Sequence, residues 1–406
     1  MIYFIVFFLM ILCVYAYDYR KYTHFYSVSY WGFFVLLVLI AGLRYRIGID
    51  SIVYEDYYDK VPTLASLSNF KFDSTRFEPG FMIFASLTRS ISDDFTLLQF
   101  SQAIVVNLVI FWFILKNTPH RFLCLSLYFL ILYLNLTTQV MREALAVCLF
   151  LLAWPFFRDG KWLQYYALCF VAFFFHTSAV LTFLLPLMCI PGIKYFFQFG
   201  WRSLFICAGV LILGFVIRNQ FYDFFLMLSL TDRMMDRAHE YSKDVQGGGV
   251  LNVAGALLVV LKYVLFPMIA LYFTKYKWRR LGDEKEEKRF QKLEMLVLIC
   301  VYLQLLSVPM FIFGRYYNYF SMFTFVLIAS CVSSRLYTAK KILKVKPGYW
   351  VVAMSIYYFL GFHFYLVPAN KSGTLKTYSI YYPYVTRFNP YMDPDREAIF
   401  RYYDAR

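Results

Sequence analysis

The chain has 406 residues, 61% of them hydrophobic and only 16% charged, with a formal net charge of +15 and a mean hydropathy of +0.56. That composition cannot be folded around an interior core in water, so it excludes a soluble protein and marks an integral membrane one. The positive excess is what cytoplasmic loops facing an anionic leaflet carry, which removes the main reason to expect nucleic-acid binding.

Apolar windows fall near residues 2–17, 28–43, 96–115, 122–136, 139–157, 162–175, 177–190, 203–218, 250–273, 293–312, 316–333 and 349–367. They predict an all-α polytopic bundle of about twelve transmembrane helices. The first run, Met1 to Tyr17, lacks a basic leader and a small-residue cleavage site, so it reads as a retained span. Windows 122–136 and 139–157 nearly abut, as do 162–175 and 177–190, which predicts tight helical hairpins. The segment Phe81–Ile91 is apolar but short and is closed by Arg89, Asp93 and Asp94. Counted as a crossing it would invert everything after it, so it reads as re-entrant or interfacial. The eight cysteines (Cys13, Cys124, Cys148, Cys169, Cys189, Cys207, Cys300, Cys331) all lie in apolar runs without metal spacing. Inert thiols are expected, with neither disulfide framework, metal nor cofactor.

Orientation follows from the basic clusters Arg20–Lys21, Lys116 with Arg121, Arg158 with Lys161, Lys194 with Arg202, Lys275–Lys292 and Arg335–Lys346. With the N-terminus outside and one crossing per window, all six land in the cytoplasm. The same parity puts outside the segments about 44–95 and 218–249, the turn at Gly314–Arg315, and a Tyr-rich tail, 368–406, packed on a single transmembrane domain, 1–367. Most of the 37 tyrosines suit a membrane interface; Tyr381, Tyr382, Tyr384 and Tyr391 in the tail would alternatively stack on sugar faces. The triple glycine Gly247–Gly249 opens a span rather than following a strand, so it reads as a hinge and not a phosphate loop.

Four constellations on the outer side carry chemistry. Gly42-Leu43-Arg44-Tyr45-Arg46-Ile47-Gly48-Ile49-Asp50, with Tyr54 following, ends the second window; its arginines suit snorkelling anchors, but the flanking glycines imply close backbone approach. Gln139-Val140-Met141-Arg142-Glu143-Ala144-Leu145-Ala146 places a guanidinium in a first helical turn, where the dipole already favours anions. Phe175-His176-Thr177-Ser178-Ala179 puts an imidazole at a hairpin turn, and Phe313-Gly314-Arg315 an arginine at another. Glu78-Pro79-Gly80 supplies an acid at the entry to the re-entrant segment. A lone histidine is more often structural and an arginine pair is as readily an anchor as a site, yet several arginines on one face suit a pyrophosphate, which their forks grip in pairs. His176, Asp50 or Glu78 would take a proton from an attacking hydroxyl. Nothing resembles a nucleotide-sugar site, since there is no glycine fingerprint after a strand.

GLRYRIGID with Tyr54, the Glu-Pro-Gly at 78–80, QxxRxxLA at 139–146 and FHxSA at 175–179 together resemble the EpsG-type branch of Wzy-like bacterial polysaccharide polymerases. The likeness covers roughly the first half, with Arg315 a weaker match beyond it. It implies glycosyl transfer joining undecaprenyl-pyrophosphate-linked oligosaccharide repeat units at the outer face of the inner membrane. It also implies membrane lipids, a flippase and a chain-length regulator as partners. The positions to test are His176, Asp50 and Glu78 as catalytic groups and Arg44, Arg46, Arg142, Arg315 and Tyr54 as donor-binding groups. A glycan ligase and a lipid-linked oligosaccharide flippase are the alternatives, with a membrane acyltransferase more distant. Transport would need polar residues through the spans, where Lys262 is the main buried one.

Overall fold

A backbone removed from water must satisfy its own polar groups, which leaves an apolar run the choice of helix or closed barrel. In the computed structural model helix covers most of each expected window among the described residues, with Ser307–Met310 forming a break inside 293–312. The structure describes residues 2–69, 77–227, 253–281, 284–342, 347–369 and 373–404. The hinge Gly247–Gly249 and most of the loop about 218–249 lie outside them. Among the described residues there is no strand, only isolated bridges pairing Arg44 with Thr386 and Pro368 with Lys376.

The chain divides into two units, one of residues 1–186 with 333–406 and the other of 187–332. In the first, α1 (Ile2–Cys13) continues as a wide turn to Tyr19 and is followed by α2 (Tyr26–Gly42), α3 (Ser51–Tyr58), α4 (Pro79–Arg89) and α5 (Phe95–Asn117). Then come α6 (Arg121–Tyr128), extended by wide turns to Gln139, α7 (Met141–Asp159) and α8 (Trp162–Phe175). The helix Pro347–Leu366 and the tail helix Pro394–Asp404 complete it. The second unit contains Trp201–Met227, Val253–Val259 running through a π-turn into Phe266–Leu281, Glu284–Leu306 and the start of Tyr317–Ile342. Lys262 is buried inside that π-turn, its ammonium 4.8 Å from the centre of the Tyr263 ring.

By length and composition four helices suffice to cross a membrane: Ile2–Tyr19, Phe95–Asn117, Trp201–Phe221 and Gly255–Lys275. A fifth is gained if Thr177–Cys189 and Pro191–Phe197, bent by 101° at their break, count together. The chain is therefore an all-α membrane protein with four or five such helices among the described residues. The remaining windows are helical too, but several, such as Tyr26–Gly42 and Trp162–Phe175, are shorter than the twenty or so residues that cross about 30 Å unaided.

Side-chain contacts give the first unit two distinct ends. At one, Tyr3 at the start of α1 meets Tyr384 of the tail edge-on at 6.0 Å. At the other, the Leu123 N–H donates to Asp18 at 2.7 Å, Lys21 lies 3.3 Å from His120, and Arg121 covers the Tyr26 ring. Helix α2 then returns toward the tail, where the Arg387 N–H donates to the Leu43 carbonyl at 2.9 Å. Gly42 permits this path against α5, because a Cβ there would lie 2.3 Å from the Phe100 ring. Helix α4 is too short to cross unaided. Its eleven residues reach about 16 Å, and it stays beside α3 at both ends, with Tyr57 against Met82 and the Tyr58 hydroxyl donating to the Ser92 carbonyl at 2.9 Å.

Candidate functional site

Arg142 occupies the first turn of α7, just after the backbone breaks at Val140. Its Nη1 donates to Glu78 Oε2 at 2.5 Å, with both side chains mostly enclosed at 15% and 11% exposure. Its Nε lies 3.4 Å from the Tyr54 hydroxyl, and its Cζ stands 4.4 Å from the centre of the Phe77 ring. Glu78 is available because it precedes α4 without capping it: Pro79 fills the first helical position and the carboxylate turns away from its own helix. Gly80 then lets the start of α4 close on the end of α8, since a Cβ would lie 2.8 Å from the Phe174 carbonyl. Tyr54 stacks on Phe77 at 5.4 Å. Burial, with Arg142 opposing and Asp50 assisting, pushes its phenol above the ordinary range, so the hydroxyl that accepts from Arg142 keeps its own proton at neutral pH.

Arg44 and Arg46 diverge although one residue separates them. Arg44 is 1% exposed, its guanidinium donating to the Ala41 carbonyl and reaching Met141 Sδ at 3.7 Å, while Nε has no hydrogen-bond partner. Burial pulls it down to about 10, which leaves it charged at neutral pH. Arg46 is half-buried with a positive φ of 45°, and its Nε donates to Glu55 at 2.8 Å. The turn between them and α3 depends on Gly48: its φ is +100°, and a Cβ would sit 2.6 Å from the Thr138 carbonyl. The close approach expected from the glycines is therefore present, and it brings the Arg44 segment onto the chain that leads into Arg142.

Asp50 is exposed at the start of α3 and does not cap it. His176 is buried, 8% exposed, and ends α8. Its Nδ1 accepts from the Ser178 N–H at 3.2 Å and lies 2.5 Å from the Ser178 hydroxyl, so the neutral ring carries its proton on Nε2. Arg315 belongs to the second unit, exposed at the turn Phe311–Tyr316. Arg142, Glu78 and Tyr54 thus form one contact set; Arg44, Arg46, Asp50 and His176 are placed by the segments bordering it.

Sequence reasoning missed the partners that complete this face. Arg387, in the tail, lies 4.0 Å from Glu55 and 3.6 Å from Asp94, and both it and Arg46 cover the Tyr45 ring. Gln139 donates to the Tyr381 hydroxyl at 2.5 Å, and the Tyr384 hydroxyl donates to the Ile40 carbonyl at 3.0 Å. Of the four tail tyrosines suited to sugars, Tyr382 and Tyr391 are exposed while Tyr381 is buried. Only the charge of Arg387 and Glu55 was visible beforehand, and pairing across more than three hundred residues leaves no local pattern.

A face with several guanidinium groups, adjoining carboxylates and aromatic walls can bind an anion and pass a proton. The EpsG family model matches residues 28–386, from the start of α2 to the tail residue bridged to Arg44. No curated protein and no solved structure matches the chain.

Proposed function

The chain belongs to the EpsG family, and from that premise we propose that it is a membrane glycosyltransferase. Its reaction would polymerise undecaprenyl-pyrophosphate-linked oligosaccharide repeat units into a surface polysaccharide at the outer face of the inner membrane. Family membership supports the polysaccharide-polymerase role, and the Arg142–Glu78 pair is the observation that carries the chemistry. A pyrophosphate competes with Glu78 for the Arg142 fork, because phosphate oxygens match the guanidinium as a carboxylate does. Exchange of partners frees the Glu78 carboxylate as the donor arrives. The acceptor hydroxyl then attacks the anomeric carbon and its proton passes to Glu78. The bond from that carbon to the pyrophosphate oxygen breaks, and the leaving group departs with the electron pair, its charge met by Arg142.

Asp50 and His176 hold lesser roles in this scheme, Asp50 through its field on Tyr54 and His176 as a donor from Nε2. Arg46 and Arg387 guide the lipid phosphates at the exposed edge, and Arg44 keeps the wall in place. The test is complementation of a strain lacking the chain, with lipid-linked intermediates resolved by size. Loss of the protein leaves single repeat units on the carrier, and Arg142→Ala and Glu78→Gln each reproduce that loss, lowering chain growth at least about a hundredfold if both act in the transition state. Normal polymer in the Arg142→Ala strain removes this reading. Full-length chains that stay on the carrier identify a ligase, and units trapped on the inner leaflet identify a flippase.

A further inference from the structure

In the second unit a groove of about 500 Å³ opens between the start of Trp201–Met227 and the helix Phe266–Leu281, lined by Gln198, Trp201, Arg202, Leu204, Tyr272 and Lys275. Its floor is cationic and incompletely satisfied. Arg202 stacks on Tyr195 with Cζ 3.5 Å from the ring centre, and its buried Nη1 has no hydrogen-bond partner. The Lys275 ammonium donates to the Phe199 carbonyl at 2.6 Å and to Glu294 at 2.9 Å; an ammonium has three donors, so one is left for a further acceptor. Two cations against one carboxylate give the floor a net positive charge.

The lips are apolar and open. Trp201 is 69%, Leu204 60% and Tyr272 56% exposed, and the same face of the Trp201 helix continues outward with Phe205, Ile212 and Val216 at 64–69% exposure. A free polar ligand would leave those lips against water or hydrocarbon without gain. An anionic lipid satisfies both halves, with its phosphate on Arg202 and Lys275 and its chains along the exposed helix face. We propose that this groove is a binding site for one anionic phospholipid, distinct from the Arg142 site and placed by the basic clusters in the cytoplasmic leaflet. Its existence does not depend on the proposed reaction.

The full-length protein, purified and freed of added lipid, is titrated with phosphatidylglycerol or phosphatidylcholine vesicles, and retained lipid is counted by native mass spectrometry. One phosphatidylglycerol is retained more tightly than phosphatidylcholine. Arg202→Glu weakens that retention about thirtyfold, since one basic residue near a surface is worth about fivefold and reversal counts twice. Arg158→Glu, whose guanidinium is occupied by Asp159, leaves it unchanged. Should Arg202→Glu fail to fold, a photoactivatable phosphatidylglycerol on the native chain crosslinks to residues 198–204 and 272–275. Equal retention of the two lipids, retention unaffected by Arg202→Glu, crosslinks elsewhere, or displacement of the lipid by equimolar inorganic phosphate would each overturn the proposal. Polymer synthesis is scored separately, so failure here leaves the glycosyltransferase reading standing.

Discussion

Single residues explain why the Arg44–Asp50 turn cannot be an ordinary helix anchor. Gly48 combines a φ of +100° with a contact that leaves no room for a side chain, whereas Gly160, at φ +75°, faces open space at the end of α7. Gly48→Ala therefore loses about 1–3 kcal/mol, and Gly160→Ala about 1 kcal/mol or less. The comparison is read from thermal unfolding in one detergent, and equal losses would remove the steric argument. Gly42 and Gly48 were legible in the sequence as places of close approach, because nothing else explains glycines flanking two arginines. What they approach was not: Phe100 and Thr138 lie far along the chain. The difference between Arg44 and Arg46 was equally hidden, since alternate positions in a turn share composition and differ only in which way the backbone points them. At Arg142, Lys keeps the charge but loses the planar fork. Arg142→Lys is expected to fold and to retain less than about a tenth of polymer growth; activity near wild type would show that charge alone suffices there.

Elements show how the site is closed by a segment the sequence marked as a Tyr-rich tail lying against the transmembrane domain, without saying which residues it meets. The tail returns over the C-terminal end of α2, with the Tyr45 N–H donating to the Val385 carbonyl at 2.9 Å and the Arg387 N–H to Leu43. It is held in shape by Arg396, fully buried, whose guanidinium donates to the Ser379 and Pro383 carbonyls. Arg387, by contrast, is 43% exposed and makes long ion pairs. Arg396→Ala leaves two carbonyls unsatisfied and costs about 2–4 kcal/mol locally, whereas Arg387→Ala costs about 1 kcal/mol at most. Limited proteolysis distinguishes them: cleavage between residues 373 and 393 rises sharply for Arg396→Ala and hardly for Arg387→Ala. If both tails resist the protease, Arg396 is not the clasp. Helix α4 makes the complementary point about legibility. Its eleven residues were legible beforehand as too few to span, because length is a property the sequence states directly. The pairing of Glu78 with Arg142 depends instead on α4 and α7 meeting, which no local spacing encodes.

Across the whole molecule the informative pattern is the segregation of charge. In the first unit Lys21, His120 and Arg121 gather where α1 ends, and Arg44, Arg46, Glu78 and Arg142 gather where α2 ends and α7 begins. Loop charge is what set these two groups on opposite sides in the sequence reading, because desolvating lysine and arginine is costly enough to fix topology. The number of crossings was less legible: hydropathy finds apolar length but does not say whether a 14-residue helix such as Trp162–Phe175 spans alone or relies on its neighbours. Sidedness is testable without knowing that number. The native cysteines are buried or half-buried, so exposed positions report cleanly when replaced by cysteine. In intact cells a membrane-impermeant thiol reagent should label Ser66→Cys, from the segment after α3, and leave Lys161→Cys, from the turn after α7, unlabelled until the membrane is opened. Arg315→Cys reports the side on which the turn Phe311–Tyr316 lies. Labelling together with Ser66→Cys keeps Arg315 among the positions expected to face the donor; labelling together with Lys161→Cys removes it from them, because a guanidinium on the opposite side of the membrane cannot meet a pyrophosphate at the outer face.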